Sequence, residues 1–149
     1  MTEARRVLDD HLADEAATLE FAERLLPYLE GAPLVFLEGQ LGAGKTTLVR
    51  GILRSLGHTG SVKSPTYTLL EPYEVAGRTI YHFDLYRIGD SDELDFIGID
   101  ELVDADALKL IEWAERGAAR LPDPDVTIRL SLEGEGRHVE VSVSPQALS

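Results

Sequence analysis

Cysteine is absent from all 149 residues, which excludes a disulfide framework and any cysteine-ligated metal. No apolar run approaches the length that a membrane-spanning helix needs, and residues 1–20 lack the apolar stretch of a secretory leader. The cytoplasm is therefore the expected location. Basic residues are scarce: 14 Lys and Arg stand against 27 Asp and Glu, a formal net charge of −13. Such a body repels nucleic-acid phosphates, whose binding rests on Lys and Arg, so the chain is not expected to hold DNA or RNA alone. The same acidity fits solubility in a salty interior and docking to a basic partner equally well. His11, His58, His82 and His138 share no ligand spacing, which argues against a histidine metal centre. There is no internal repeat and no low-complexity segment. At 44% hydrophobic content, residues 1–149 are expected to form one domain with a real core and no room for a second.

What is present is more specific. Gly39-Gln40-Leu41-Gly42-Ala43-Gly44-Lys45-Thr46 is a complete G-x-x-x-x-G-K-[ST] phosphate-binding loop. Before it, Pro33-Leu34-Val35-Phe36-Leu37 is an apolar run ending in Glu38 that reads as a buried parallel strand. After it, Leu48, Val49, Ile52, Leu53 and Leu56 fall at helical spacing, and Gly57 is a stop signal. Strand, loop and helix in that order are the context the motif requires. Backbone N–H groups of the loop form an anion nest, and the helix start adds its unpaired N–H groups and positive dipole end. Lys45 then reaches the outer phosphates, and the Thr46 hydroxyl is placed for magnesium. A nucleoside triphosphate site is expected here, despite the acidity of the whole, because the positive potential is local.

The remaining elements complete an α/β pattern. Residues 13–29 carry Ala16, Leu19, Ala22, Leu25 or Leu26, and Leu29 on one helical face, with Asp14 as cap. Residues 66–74 and 78–84 read as a hairpin around Ala76-Gly77. Residues 90–103 have helical spacing, capped by Asp90 or Ser91 and broken at Gly98. Residues 107–112 read as another buried strand. Residues 126–133 and 137–143 alternate apolar and polar around Gly134-Glu135-Gly136, a second hairpin. The expected fold is a P-loop NTPase-type mixed β-sheet with antiparallel hairpin additions and helices packed on it.

Hydrolysis or transfer needs acids beside the γ-phosphate and the metal. Asp84 ends the apolar string Ile80-Tyr81-His82-Phe83, and Glu112 ends Leu108-Lys109-Leu110-Ile111. Both fall at carboxyl ends of strands, where open α/β sheets place their ligands. Either residue alone could instead be an ordinary strand-end acid. Glu112 follows the more apolar strand and is the better metal or water-orienting acid, with Asp84 ranking close behind. Ser64-Pro65-Thr66-Tyr67 lies where P-loop switches carry a γ-phosphate-sensing hydroxyl, although a plain turn leading into a strand fits as well. Trp113 directly follows Glu112, and core packing is its favoured role. Asp95-Phe96-Ile97-Gly98 matches D-x-x-G only loosely, inside a helical pattern, and no guanine-reading Asn-Lys-x-Asp string exists.

Several strings occur together in this order: the loop through Thr47, Val62-Lys63-Ser64-Pro65-Thr66-Tyr67-Thr68-Leu69, and Tyr81-His82-Phe83-Asp84-Leu85-Tyr86-Arg87. With them go Glu93-Leu94-Asp95-Phe96-Ile97-Gly98-Ile99, Ile111-Glu112-Trp113 and Leu121-Pro122-Asp123-Pro124-Asp125-Val126. Together they resemble the TsaE (YjeE) family of tRNA threonylcarbamoyladenosine biosynthesis over residues 14–143. The resemblance implies an ATP- and magnesium-binding protein that hydrolyses ATP slowly. It implies partners of the TsaB and TsaD kind, which hold the tRNA and are reset between turnovers, and no membrane. Carried onto this chain, Leu41, Gly42, Ala43, Gly44, Lys45, Thr46 and Thr47 hold phosphate, and Thr46, Glu112 and Asp84 serve the metal. Lys45, Asp84, Glu112 and Thr66 form the catalytic set. Glu15 and Gly136 match the family's adenine pocket. Residues 1–12 have no counterpart and are expected to be disordered.

Two other classes compete. A small-molecule P-loop kinase needs an Arg-bearing lid to exclude water, and no Arg cluster follows the loop helix. A module that only binds nucleotide would not need Asp84 and Glu112.

Overall fold

The computed structural model describes residues 4–63 and 68–145. One seven-stranded sheet runs through it, in the order β1-β7-β6-β2-β5-β4-β3. The strands are β1 (Arg5–Leu12), β2 (Leu34–Glu38), β3 (Leu70–Val75), β4 (Arg78–Asp84), β5 (Leu108–Glu112), β6 (Val126–Glu133) and β7 (Gly136–Val143). The central four, β6, β2, β5 and β4, are parallel, while β3 joins β4 and β7 joins β6 antiparallel. This is the mixed α/β sheet expected, with a hairpin on each flank.

The two innermost strands, β2 and β5, are largely apolar because both faces are covered. On one face, α1 (Glu15–Leu25) and α2 (Lys45–Leu56) pack Phe21, Leu25, Leu48 and Ile52 against Val35, Leu37, Leu108 and Leu110. On the other, Phe83 and Ile111 meet Leu85, Leu94 and Ile99. Each fully buried Leu, Ile or Phe contributes about 1.5–3 kcal/mol. Gly51 lets the helices touch: a Cβ there would lie 2.9 Å from the Leu19 carbonyl oxygen and 3.0 Å from Ala22 Cβ.

Asp14 caps α1 through Oδ1, which accepts from the Ala17 N–H at 2.8 Å. The helix closes at Leu25, short of residue 29, because Pro27 turns the chain into the 3-10 segment Leu26–Tyr28. Residues 90–103 break at Gly98 as expected, although the first part is not α-helical. Ser91–Ile97 form a 3-10 segment and Ile99–Asp104 a short α3, with Gly98 between them at φ 71°, a conformation that favours glycine.

A larger difference concerns residues 5–12, part of the segment expected to be disordered. Arg5–Leu12 is ordered as β1, an edge strand paired antiparallel along β7 from Arg5↔Val143 to Leu12↔Arg137. Its side chains are mostly exposed, so its hydrophobic pattern is weak and its order comes from backbone pairing. No helix among the described residues is long and apolar enough to cross a membrane.

Candidate functional site: a phosphate-binding loop between two buried acids

The loop leaves the end of β2 at Glu38 and enters α2 at Lys45. Gly44 caps α2 at φ 101°, a left-handed conformation that lets the chain wrap tightly around an anion. Gly39 is required sterically, since a Cβ there would meet the Leu130 carbonyl oxygen at 2.5 Å. Ala43 is fully buried and turns its methyl into the core, while its N–H bonds Gln40 O at 3.0 Å. Among the residues expected to hold phosphate, Ala43 thus brings no side chain to the cavity. Leu41, Gly42, Gly44, Lys45, Thr46 and Thr47 all line a cavity of about 590 Å³.

Asp84 and Glu112 complete its floor. Parallel pairing of β4 with β5 sets them side by side in register, and both line the cavity although they are only 7% and 2% exposed. The Thr46 hydroxyl sits 3.2 and 3.1 Å from the two Glu112 oxygens. A carboxylate accepts only, so Thr46 donates and its own lone pairs stay available to a cation. Burial pushes the Asp84 carboxyl above its ordinary value; the Tyr86 N–H, which Asp84 Oδ1 accepts at 3.0 Å, opposes this, and the Glu112 charge adds to it. Burial also lowers the Lys45 ammonium, against the pull of Glu112, Glu115 and Asp84. Two desolvated carboxylates and a hydroxyl converging beside one lysine make a donor set of hard oxygens, and magnesium fits it.

Lys45 Nζ donates to Gly39 O at 2.5 Å and lies 3.7 Å from the centre of the Trp113 ring. Trp113 is thus part of the site wall, not simply core filler. It adopts φ 59° and ψ 40°, costly for a bulky residue, and its ring stacks at a tilt 4.9 Å from Tyr86. The sequence signal was its adjacency to Glu112; its backbone conformation had no signal at all.

The cavity continues toward the start of α1 and the β6–β7 turn, where Glu15 and Gly136 both line it. Glu15 pairs with Arg50 at 3.3 Å. A Cβ on Gly136 would lie 2.4 Å from the Leu12 carbonyl oxygen, so glycine lets β1 close against this turn. Arg137 carries no motif that would single it out in the sequence. Its guanidinium donates to the carbonyls of Ala43 and Gly42, both at 3.1 Å, and to Gly136 O at 3.0 Å. It ties the hairpin to the loop, a contact hidden by a separation of 94 residues. Thr66 lies outside the described residues.

The family model described as threonylcarbamoyl adenosine biosynthesis protein TsaE matches residues 12–139. The chain belongs to the TsaE family. A Haemophilus influenzae protein described as tRNA threonylcarbamoyladenosine biosynthesis protein TsaE is 45% identical over 139 residues, 90% of this chain and 88% of the relative. A Treponema pallidum protein of the same description is 41% identical over 117 residues, 78% of this chain and 84% of the relative. The crystal structure of YdiB from Bacillus subtilis is similar with a TM-score of 0.80 and 25% identity, covering 98% of this chain and 90% of that one. The fold is thus of the P-loop NTPase type. Of the TsaE-type strings, H-F-D-L-Y-R ends β4 at Asp84 and I-E-W ends β5 at Glu112, so two strings far apart in sequence meet at the cavity floor.

Proposed function

We propose that this TsaE-family chain is a magnesium-dependent ATPase serving tRNA N6-threonylcarbamoyladenosine biosynthesis, working as an accessory subunit beside partners resembling TsaB and TsaD. Its hydrolysis resets that pair between turnovers and performs no transfer itself. The observation that carries the reading is the Thr46 hydroxyl bonded to both Glu112 oxygens at the head of α2, with Lys45 and Asp84 alongside.

In this reading the phosphates lie on the amides of residues 41, 42 and 44–46, and the base lies toward Glu15 and Gly136. Lys45 gives N–H donors to the outer phosphates. Thr46, Glu112 and Asp84 hold magnesium, which supplies charge neutralisation along the outer phosphates. Glu112 and Asp84 orient a water so that its oxygen attacks the γ-phosphorus as the bond to the β–γ bridging oxygen breaks, giving ADP and inorganic phosphate. Thr66 senses the γ-phosphate. Arg137 and Gly39 hold the loop's shape, so its dipoles need little rearrangement. The net charge of −13 fits a cytoplasmic helper that acts through proteins and leaves tRNA to them.

The test is a pull-down with TsaB and TsaD, with and without ATP, followed by tRNA modification turnover with and without this chain. ATP-dependent capture and a rise in multiple turnover are expected. Capture and turnover indifferent to both ATP and this chain would remove the accessory role.

A further inference from the structure

His82 takes no part in the proposed hydrolysis, yet it is fully buried directly behind the site. Its Nε2 lies 2.6 Å from Glu112 Oε2, with the two side chains 0% and 3% exposed. A carboxylate only accepts, so Nε2 carries the hydrogen and donates. The other ring nitrogen, Nδ1, has no hydrogen-bond partner among the described residues.

Strand geometry explains how the ring arrives there. Side chains alternate along β4, so Ile80, His82 and Asp84 share one face. Ile80 belongs to the apolar core under that face and Asp84 to the cavity floor, leaving His82 as the layer between them. Across the sheet its register partner is Leu110, and that of Asp84 is Glu112. An aliphatic side chain would fill this layer without cost. An imidazole with one buried nitrogen unpaired is instead destabilising, because that nitrogen gives up its bond to water. What that position gains is one short bond to the deepest acid of the site.

Glu112 needs such a bond. A free glutamate loses rotamer entropy when held in one pose, so something must hold it there. Here its carboxylate is gripped from both sides, by Thr46 in front and His82 behind. We propose that His82 is a positioning residue for Glu112: its Nε2–H anchors Oε2, so that Oε1 and the Thr46 hydroxyl face the metal together. This rests on the reading of the cavity as a magnesium–nucleotide site. Partners standing behind a metal ligand change metal affinity by about 10- to 100-fold when removed.

Three variants test it. His82→Leu fills the space without a donor, His82→Gln carries an amide N–H out to about the reach of Nε2, and His82→Asn stops one carbon short. The first measurement is ADP affinity in EDTA by calorimetry. The second is the magnesium concentration giving half of the magnesium-induced change in affinity. All variants are expected within about 3-fold of the parent in EDTA, since the phosphate nest is untouched; His82→Leu and His82→Asn should need about 10- to 100-fold more magnesium, and His82→Gln should stay near the parent. If His82→Leu fails to fold, the contrast between Gln and Asn decides alone. A magnesium midpoint shared by parent, Leu and Asn, or a Gln variant shifted as far as Asn, overturns the proposal and leaves the nucleotide reading standing. A parent that binds ADP with no magnesium dependence, or not at all, overturns both.

Discussion

The Lys45 ammonium rests against the face of Trp113, 3.7 Å from the ring centre, while donating to the Gly39 carbonyl. A cation–π contact of a desolvated lysine is worth about 2 kcal/mol, and it competes with any anion for the same charge. Trp113 is the only tryptophan, so its emission reports on one place. Adding magnesium–ATP should change that emission as the ammonium turns to phosphate. A spectrum indifferent to saturating nucleotide would mean that Lys45 and Trp113 never part.

Lys45→Ala removes the ammonium and leaves the nest. A charge-assisted hydrogen bond contributes about 1.5–3 kcal/mol, so the affinity for magnesium–ATP should fall by about 10- to 100-fold. Calorimetry checks this directly, and undiminished affinity would strip the loop of its assignment.

Glu112→Ala separates chemistry from binding. An interaction made in the transition state lowers turnover more than ground-state affinity, so hydrolysis should drop by about 100-fold or more while ADP affinity in EDTA changes little. Single-turnover phosphate release with the partners present is the measurement. If it is unaltered, Glu112 is an ordinary acid at a strand end.

How far the chain could be read without coordinates depended on the range of each interaction. The strand–loop–helix around Lys45 was legible because the whole unit is local: an apolar run, glycines at fixed spacing and an amphipathic helix. Asp84 and Glu112 were legible because strand ends in an open α/β sheet share one edge. Edge strand β1 was not, since its order comes from pairing with β7, more than a hundred residues away, and its exposed side chains carry no pattern. Arg137 and His82 were missed for the same reason. An arginine beside a turn and a histidine inside a strand look ordinary until topology sets one on the loop carbonyls and the other on Glu112.

Asp84 sets a pH dependence with a definite sign. Burial raises its carboxyl above the ordinary 3.8. Between 3.8 and that raised value the folded chain keeps a proton that the unfolded chain has released. The contribution of Asp84 to stability therefore falls as pH rises through this window and stays lost above it. Asp84→Asn keeps an oxygen for the Tyr86 N–H and removes the buried charge. Its melting temperature at pH 7 should exceed that of the parent without nucleotide, with the gain vanishing below pH 3.8. The same variant should respond less to magnesium, a familiar exchange of activity for stability. Thermal scans across pH decide it; a parent that melts higher at pH 7 counts against the argument.

Gly51→Ala tests the packing of the helices. The added methyl would approach the Leu19 carbonyl oxygen within 2.9 Å, so α1 and α2 must separate. Overpacking of this kind costs about 1–3 kcal/mol, visible as a lower denaturant midpoint. A variant as stable as the parent would show that the interface yields freely.

The close approach of Gly136 to the Leu12 carbonyl has a wider consequence. Leu12 at the end of β1 and Gly136 at the start of β7 both line the cavity, so two strands from opposite parts of the sequence share one of its walls. In the proposed reading a nucleotide lodged there touches both strands at once, and amide protons beside Leu12, at the cavity end of β1, are expected to exchange more slowly when it is bound.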